Sequence, residues 1–229
     1  MKNKILTTIF LLFAVTALMF AKSGKEILDQ TIEAMGGANL SNVNSSFMQM
    51  TTSVMGMTMP TKSYKKGDKY RLETNQMGQD VVVTFNGEKG WMKMGEQVME
   101  MPAEKVDQTR SQTEPMINGF KDKINEEGIK IEKVGKSKID GITAYHIKMT
   151  DKDGQVTHLY INSANYLIVK MTANSDKGEL EILFKDYKDF DGVKVPVKTV
   201  IKASGMEIVS TIEDYQINPD LNDSLFEKP

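Results

Sequence analysis

No cysteine occurs in the 229 residues. Disulfides, thiolate metal sites, cysteine nucleophiles and lipid attachment through an N-terminal cysteine are therefore all excluded. Histidine occurs twice, as His146 in "AYHIKM" and His158 in "VTHLYI". Both lie in alternating, strand-like stretches and read more simply as sheet residues than as general bases. HExxH, GxSxG and phosphate-loop patterns are missing, so the residues give no reason to expect an enzyme, a cofactor or a metal. Positive charge is not in excess either: 29 Lys and Arg face 31 Asp and Glu, and the two signs are interspersed. Nucleic acid is not an expected partner.

Long apolar runs are also scarce, with one exception. The chain opens "MKNKILTTIFLLFAVTALMFAKSG". Lys2 and Lys4 form a positive flank, an uncharged stretch follows, and Ala21 offers a cleavage point. This reads as a secretory signal peptide over 1–21. The run is short for a ~20-residue membrane span, which disfavours an anchor. Residues 22–229 are then an exported single domain. With no covalent staples it must be held by burial, which this length supplies.

"SGKEILDQTIEAMGG" predicts an amphipathic helix. Ser23 and Glu26 have capping-box spacing, and Gly36-Gly37 ends the apolar periodicity. From Phe47 the period becomes two. "SFMQMTTSVMGMTMP", "KYRLETNQ", "QDVVVTFNG", "EKGWMKMG" and "EQVMEMP" read as strands separated by short turns, Asn86-Gly87 being the clearest. The connections are too short for crossover helices, so the strands are antiparallel. Residues 102–128 break the pattern. They favour helix but carry few apolar residues: Val106, then Met116, Ile117, Phe120 and Ile124 on one stripe. Seven further strand-like stretches follow, with turns at Gly141, Asp153-Gly154, 176–178, Asp191-Gly192 and Ser204-Gly205. About a dozen antiparallel strands with one helical insertion predict an α+β fold: a strongly curved sheet forming an incomplete barrel.

Methionine, in contrast, occurs 17 times. Three stretches place it at every second position, which puts each set on one face of a strand. Met48 with Met50, Met55 with Met57 and Met59, Met92 with Met94, and Met99 with Met101 form these sets. The phase slips between Met50 and Met55, which calls for a bulge or a break in the strand. Three readings compete. One is an ordinary core. The second is a Cu(I) site, since thioethers suit that ion, although strands spread ligands along a wall instead of converging them. The third is the wall of a cavity for something greasy, because methionine is flexible and specifies a unique core poorly.

The stretches "NGEKGWMKM" (86–94), "LYINSANYLIVKM" (159–171), "FKDYKDFDGVKVPVKTVI" (184–201) and "YQINPDLNDSLFEKP" (215–229) resemble the LolA/LolB-like superfamily, in particular outer-membrane lipoprotein-sorting proteins. The resemblance spans the chain behind the signal peptide. It implies an incomplete barrel around an apolar cavity, with helices as a lid. It further implies a monomeric periplasmic carrier of lipoprotein or lipid acyl chains that works between membrane-bound donor and acceptor proteins. A lipid-sensing or protein-binding envelope module, similar to RseB, is the alternative on the same fold. The cavity is expected at Met48, Met50, Met57, Met59, Leu72, Met92, Met94, Met99 and Met101, with Trp91 near its rim. The lid is expected at 102–128, with Met116, Ile117, Phe120 and Ile124 as its apolar stripe. Lid–barrel contacts through arginine are also implied, and Arg71 and Arg110 are the two arginines present.

Overall fold

The computed structural model describes residues 22–76, 78–102, 104–106, 120, 121, 123–175 and 178–229. Helix α1 (Gly24–Met35) starts on the expected capping box. The Ser23 side chain accepts from the Glu26 N–H, and the Glu26 carboxylate accepts from the Ser23 N–H. That bond and the Ser23 hydroxyl hold the Glu26 carboxyl below its usual range. One face of α1, carrying Ile27, Leu28, Thr31 and Met35, is buried. Each large apolar side chain so removed from water contributes about 1.5–3 kcal/mol. Gly24 permits the approach to the sheet, because a Cβ there would stand 2.9 Å from Ile131 Cγ2. A short helix α2 (Ala38–Ser41) follows.

Among the described residues, thirteen strands then form one antiparallel sheet. They are β1 (Ser45–Val54), β2 (Met57–Lys66), β3 (Lys69–Gln76), β4 (Gln79–Phe85), β5 (Gly90–Met94), β6 (Gln97–Met101), β7 (Lys130–Ile139), β8 (Ile142–Thr150), β9 (Val156–Asn162), β10 (Ile168–Ser175), β11 (Gly178–Phe190), β12 (Val193–Ala203) and β13 (Met206–Ile217). The order is β6-β5-β4-β3-β2-β1-β13-β12-β11-β10-β9-β8-β7. The sheet is curved and does not close, so the expected incomplete barrel is present. Each half is a simple meander, and the seam between halves is the β1–β13 pair. The two free edges, β6 and β7, are joined by the 102–129 connection.

One stretch expected as a single strand is two. "SFMQMTTSVMGMTMP" turns at Met55-Gly56, both at positive φ (50° and 80°). The phase slip between Met50 and Met55 is therefore a hairpin. Met55 sits in the turn and does not share a strand face with Met57 and Met59. A bulge does occur at the seam, on the partner strand. Met48 pairs with Tyr215 and Met50 with Ile212, leaving Glu213 as the extra residue. Tyr215 and Ile212 are three apart and would otherwise point to opposite faces. The bulge brings both to the face that carries Met48 and Met50.

Two apolar clusters sit on this inner face. The larger lies under α1 and contains Ile147, Leu159, Ile161, Ile168, Phe184 and Val193. The smaller contains Tyr70, Val81, Val83, Phe85 and Val106. The C-terminal 3-10 turn (Asp223–Phe226) lies against β3 and β4. Arg71 fixes it by donating to the Leu225 carbonyl at 3.1 Å, while also pairing with Glu73 at 2.6 Å. Arg71 thus holds the C-terminal turn against the sheet. Arg110 lies outside the described residues.

Candidate functional site

Directly opposed residues of an antiparallel pair share a face. Following the registers across the sheet puts Met48, Met50, Met57, Met59, Leu72, Met92, Met94, Met99 and Met101 on the inner face together. They fall into cross-strand rows. One row runs Met99, Met92, Val83, Leu72, Ser63, Met48, Tyr215 from β6 to β13. A second runs Met57, Val54, Ile208, Ile201, Ile182, Met171, Leu159, Ile147 from β2 to β8. At nearly 5 Å per strand, this second row is roughly 30 Å long. Met50 stands between the rows, opposite Thr61 and Ile212, and Met59 stands opposite Thr52.

The wall bridges the two clusters. Met48, Met171, Ile182 and Ile212 are partly buried at the margin of the larger one. Leu72, Met92 and Met101 are partly buried at the margin of the smaller one. Met57, Met94 and Met99 are exposed, at 50%, 37% and 52%. Among the described residues, the site is therefore an open apolar wall with half-covered flanks.

Trp91 stands elsewhere. It pairs with Thr84, which pairs with Arg71, which pairs with Tyr64, and that row belongs to the opposite face. Trp91 is 8% exposed, so it is buried on the outer side and not at a rim of the methionine wall. The sequence error was to let a neighbour of Met92 share its surface, which strand alternation forbids.

The described ends of the 102–129 connection are pinned on the inner face. Val106 enters the smaller cluster, its carbonyl accepts from the Tyr70 hydroxyl at 3.2 Å, and Gly90 leaves room for it. Ile124 is fully buried in the larger cluster, and Phe120 packs partly buried against it. Met116 and Ile117 lie outside the described residues.

Charge is kept off the wall. Lys170, Glu181 and Lys202 pair on the outer face, and the bonds to the two lysines hold the Glu181 carboxyl below its usual range. Lys66 and Lys69 do the same to Asp223 at the C-terminal turn. His146 and His158 also stand on the outer side, paired across β8 and β9 with Tyr160 and Lys148. Burial is what this wall offers chemically: each CH₂ placed on it gains about 0.8 kcal/mol.

No sequence-family profile matches the chain, and no curated protein matches it in sequence. Solved structures do match. A DUF1329 family protein from Desulfovibrio piger is similar at a TM-score of 0.60 and 14% identity, over 90% of this chain and 98% of that one. A LolA superfamily protein from Nitrosomonas europaea is similar at 0.53 and 17%, over 91% and 99%. A domain named for outer membrane lipoprotein sorting, from Vibrio parahaemolyticus, is similar at 0.52 and 13%, over 85% and 95%. The chain has the fold of the LolA superfamily.

Proposed function

We propose that this protein is an exported carrier that binds the acyl chains of lipoproteins or lipids on the inner face of its sheet. The observation that supports it most is the pair of cross-strand rows, mostly apolar, carrying methionines on both halves of the sheet and left partly open. A finished core would cover such residues. A surface for acyl chains of varying length gains from unbranched, adaptable side chains. The LolA-superfamily fold agrees with this reading, and so does the lack of charged side chains in the two rows among the described residues.

The leader at 1–21 would be removed on export, and residues 22–229 would act as one domain in the periplasm. The 102–128 connection would serve as the lid, since it links the sheet's two edges and its ends seat on both clusters. Membrane-bound donor and acceptor proteins would load and unload the wall. No catalytic role is assigned.

Mass spectrometry of lipid co-purifying with the protein, combined with binding of a fluorescent fatty acid to delipidated protein, tests the proposal. Met50→Glu and Leu72→Glu each put a carboxylate in the apolar wall and should weaken binding at least about tenfold, because a charge resists desolvation. Circular dichroism should remain that of a sheet. A folded protein that carries no acyl lipid and binds no apolar probe would show that the wall is only packing. Capture of an envelope protein without lipid would favour the sensing module.

A further inference from the structure

Among the described residues, four hairpins turn through two residues at positive φ with the second a glycine: Met55-Gly56, Asp140-Gly141, Asp191-Gly192 and Ser204-Gly205. Their first residues have nearly the same φ, at 50°, 48°, 49° and 51°. This turn favours Asn, Asp or Gly, since a longer side chain strains the left-handed conformation. The two aspartates fit that chemistry and Ser204 is at least short and polar, whereas Met55 is neither. Burial does not explain Met55 either, because it is 79% exposed. A residue disfavoured by both its backbone and its solvent points to an interaction outside the chain.

The position of Met55 in the sheet sharpens this. β1 and β13 are neighbours, so the Met55-Gly56 and Ser204-Gly205 tips lie side by side at one end of the sheet. Met57 and Met206 follow these two tips and are also exposed, at 50% and 45%. Both point to the inner face, Met57 through its pairing with Val54 and Met206 through its pairing with Ala203. The Asp140 and Asp191 turns lie at the opposite end. The charges beside Met206 carry no cationic excess: Lys202 stands among Glu179, Glu181 and Glu207 and pairs with Glu181. Met57 opens the long apolar row, so the cluster is continuous with the wall.

We propose that Met55, Met57 and Met206 form a wedge that enters the outer layer of a lipid bilayer and places the end of the wall against the acyl chains. A yielding apolar phase suits separate protruding methionines on hairpin tips, and the hollow beside Met206 is lined by Glu179, Glu181, Lys202 and Glu207, so it offers no apolar seat for a protein partner. With no cationic excess at the tips, the insertion is apolar and does not need anionic lipid. The proposal gives the wall a loading end and rests on the carrier reading for that role.

The test is flotation of the delipidated full-length mature protein with phosphatidylcholine vesicles, with and without added phosphatidylglycerol. It compares wild type with Met55→Asn/Met206→Thr and measures fluorescent fatty-acid binding in solution alongside. Wild type should float with both vesicle types. The variant should float at least about tenfold less, bind fatty acid within twofold of wild type, and melt at an equal or higher temperature, because asparagine suits the turn. Wild type that fails to float, floats only with phosphatidylglycerol, or floats equally well after both substitutions overturns the wedge. Dimers abolished by the variant, without flotation, also overturn it and assign the tips to a second copy. Fatty-acid binding without tip-dependent flotation leaves the carrier reading intact, and tip-dependent flotation without fatty-acid binding removes the carrier reading alone.

Discussion

His146 Nε2 lies 2.8 Å from His158 Nδ1, and the Tyr160 ring stacks on His146 at a centroid distance of 4.6 Å. One ring nitrogen must donate and the other accept, so the pair needs at least one neutral imidazole. Burial, and then the neighbouring His158, push the His146 pKa below its usual value. The unfolded chain therefore binds a proton near pH 6.5 that the folded protein resists. The contribution is complete above that pH and lost as pH falls below it. Urea midpoints measured from pH 8 to pH 5 should decline below about 6.5, and His146→Gln should flatten that part of the profile. An unchanged slope would place the acid sensitivity elsewhere.

The position of Trp91 predicts a negative result that can be checked. A brominated fatty acid on the methionine wall should leave Trp91 emission unquenched, because the sheet lies between them. In a Trp91→Phe background, Leu72→Trp should be quenched on binding. Quenching of Trp91 itself would put the ligand on the outer face.

Gly90 and Val106 form a matched pair. A Cβ on residue 90 would stand 2.6 Å from Val106 Cγ2. Valine is stiff at this branch, so Gly90→Ala should displace Val106 and lower stability by about 1–3 kcal/mol. The start of the 102–129 connection should also become easier to cleave in limited proteolysis. Gly90→Ala/Val106→Ala should recover part of the stability, since the clash is then relieved.

Ile124 tests the other end of the connection. Its side chain is 1% exposed within the larger cluster, so Ile124→Ala should cost about 2–5 kcal/mol by chemical denaturation. The loss should be accompanied by faster amide exchange in the adjoining residues. A cost below about 1 kcal/mol would mean that the site collapses readily and the anchor is weak.

The alternation of methionines was enough to group them. Met48 and Met50, or Met92 and Met94, must share a face in any strand, and the registers join those pairs into rows. The helix over Gly24–Met35 was equally plain, because its cap, apolar stripe and terminating glycines agree. The Met55-Gly56 hairpin was missed because its signal lay in a residue that turns do not favour. With Asn in place of Met55 the split into β1 and β2 would have been read at once. Strand alternation alone puts Trp91 on the face opposite Met92, but nothing local says that the outer side is covered and the indole buried there. The bulge at Glu213 was invisible from either strand alone, because register belongs to the pair. The role of Arg71 is not legible in the strand around it, because its bond to the Leu225 carbonyl depends on the chain returning through residues 218–222.

The free edges of the sheet are tied by the 102–129 connection, and the seam is tied by β1 pairing with β13. Topologically the sheet is a ring of strands fastened at two points, one covalent and one made of ladder hydrogen bonds, with helix α1 and the C-terminal turn each crossing from one half to the other. A single cut in the covalent fastening would leave two meanders, each built from sequence-adjacent hairpins and still clasped along the seam. The two halves should therefore refold as hairpins first and meet last, because the seam joins residues far apart in sequence. Expressed as separate chains divided within 107–119, they should find one another without a linker and reassemble the sheet, as two interlocking pieces rather than as a severed domain.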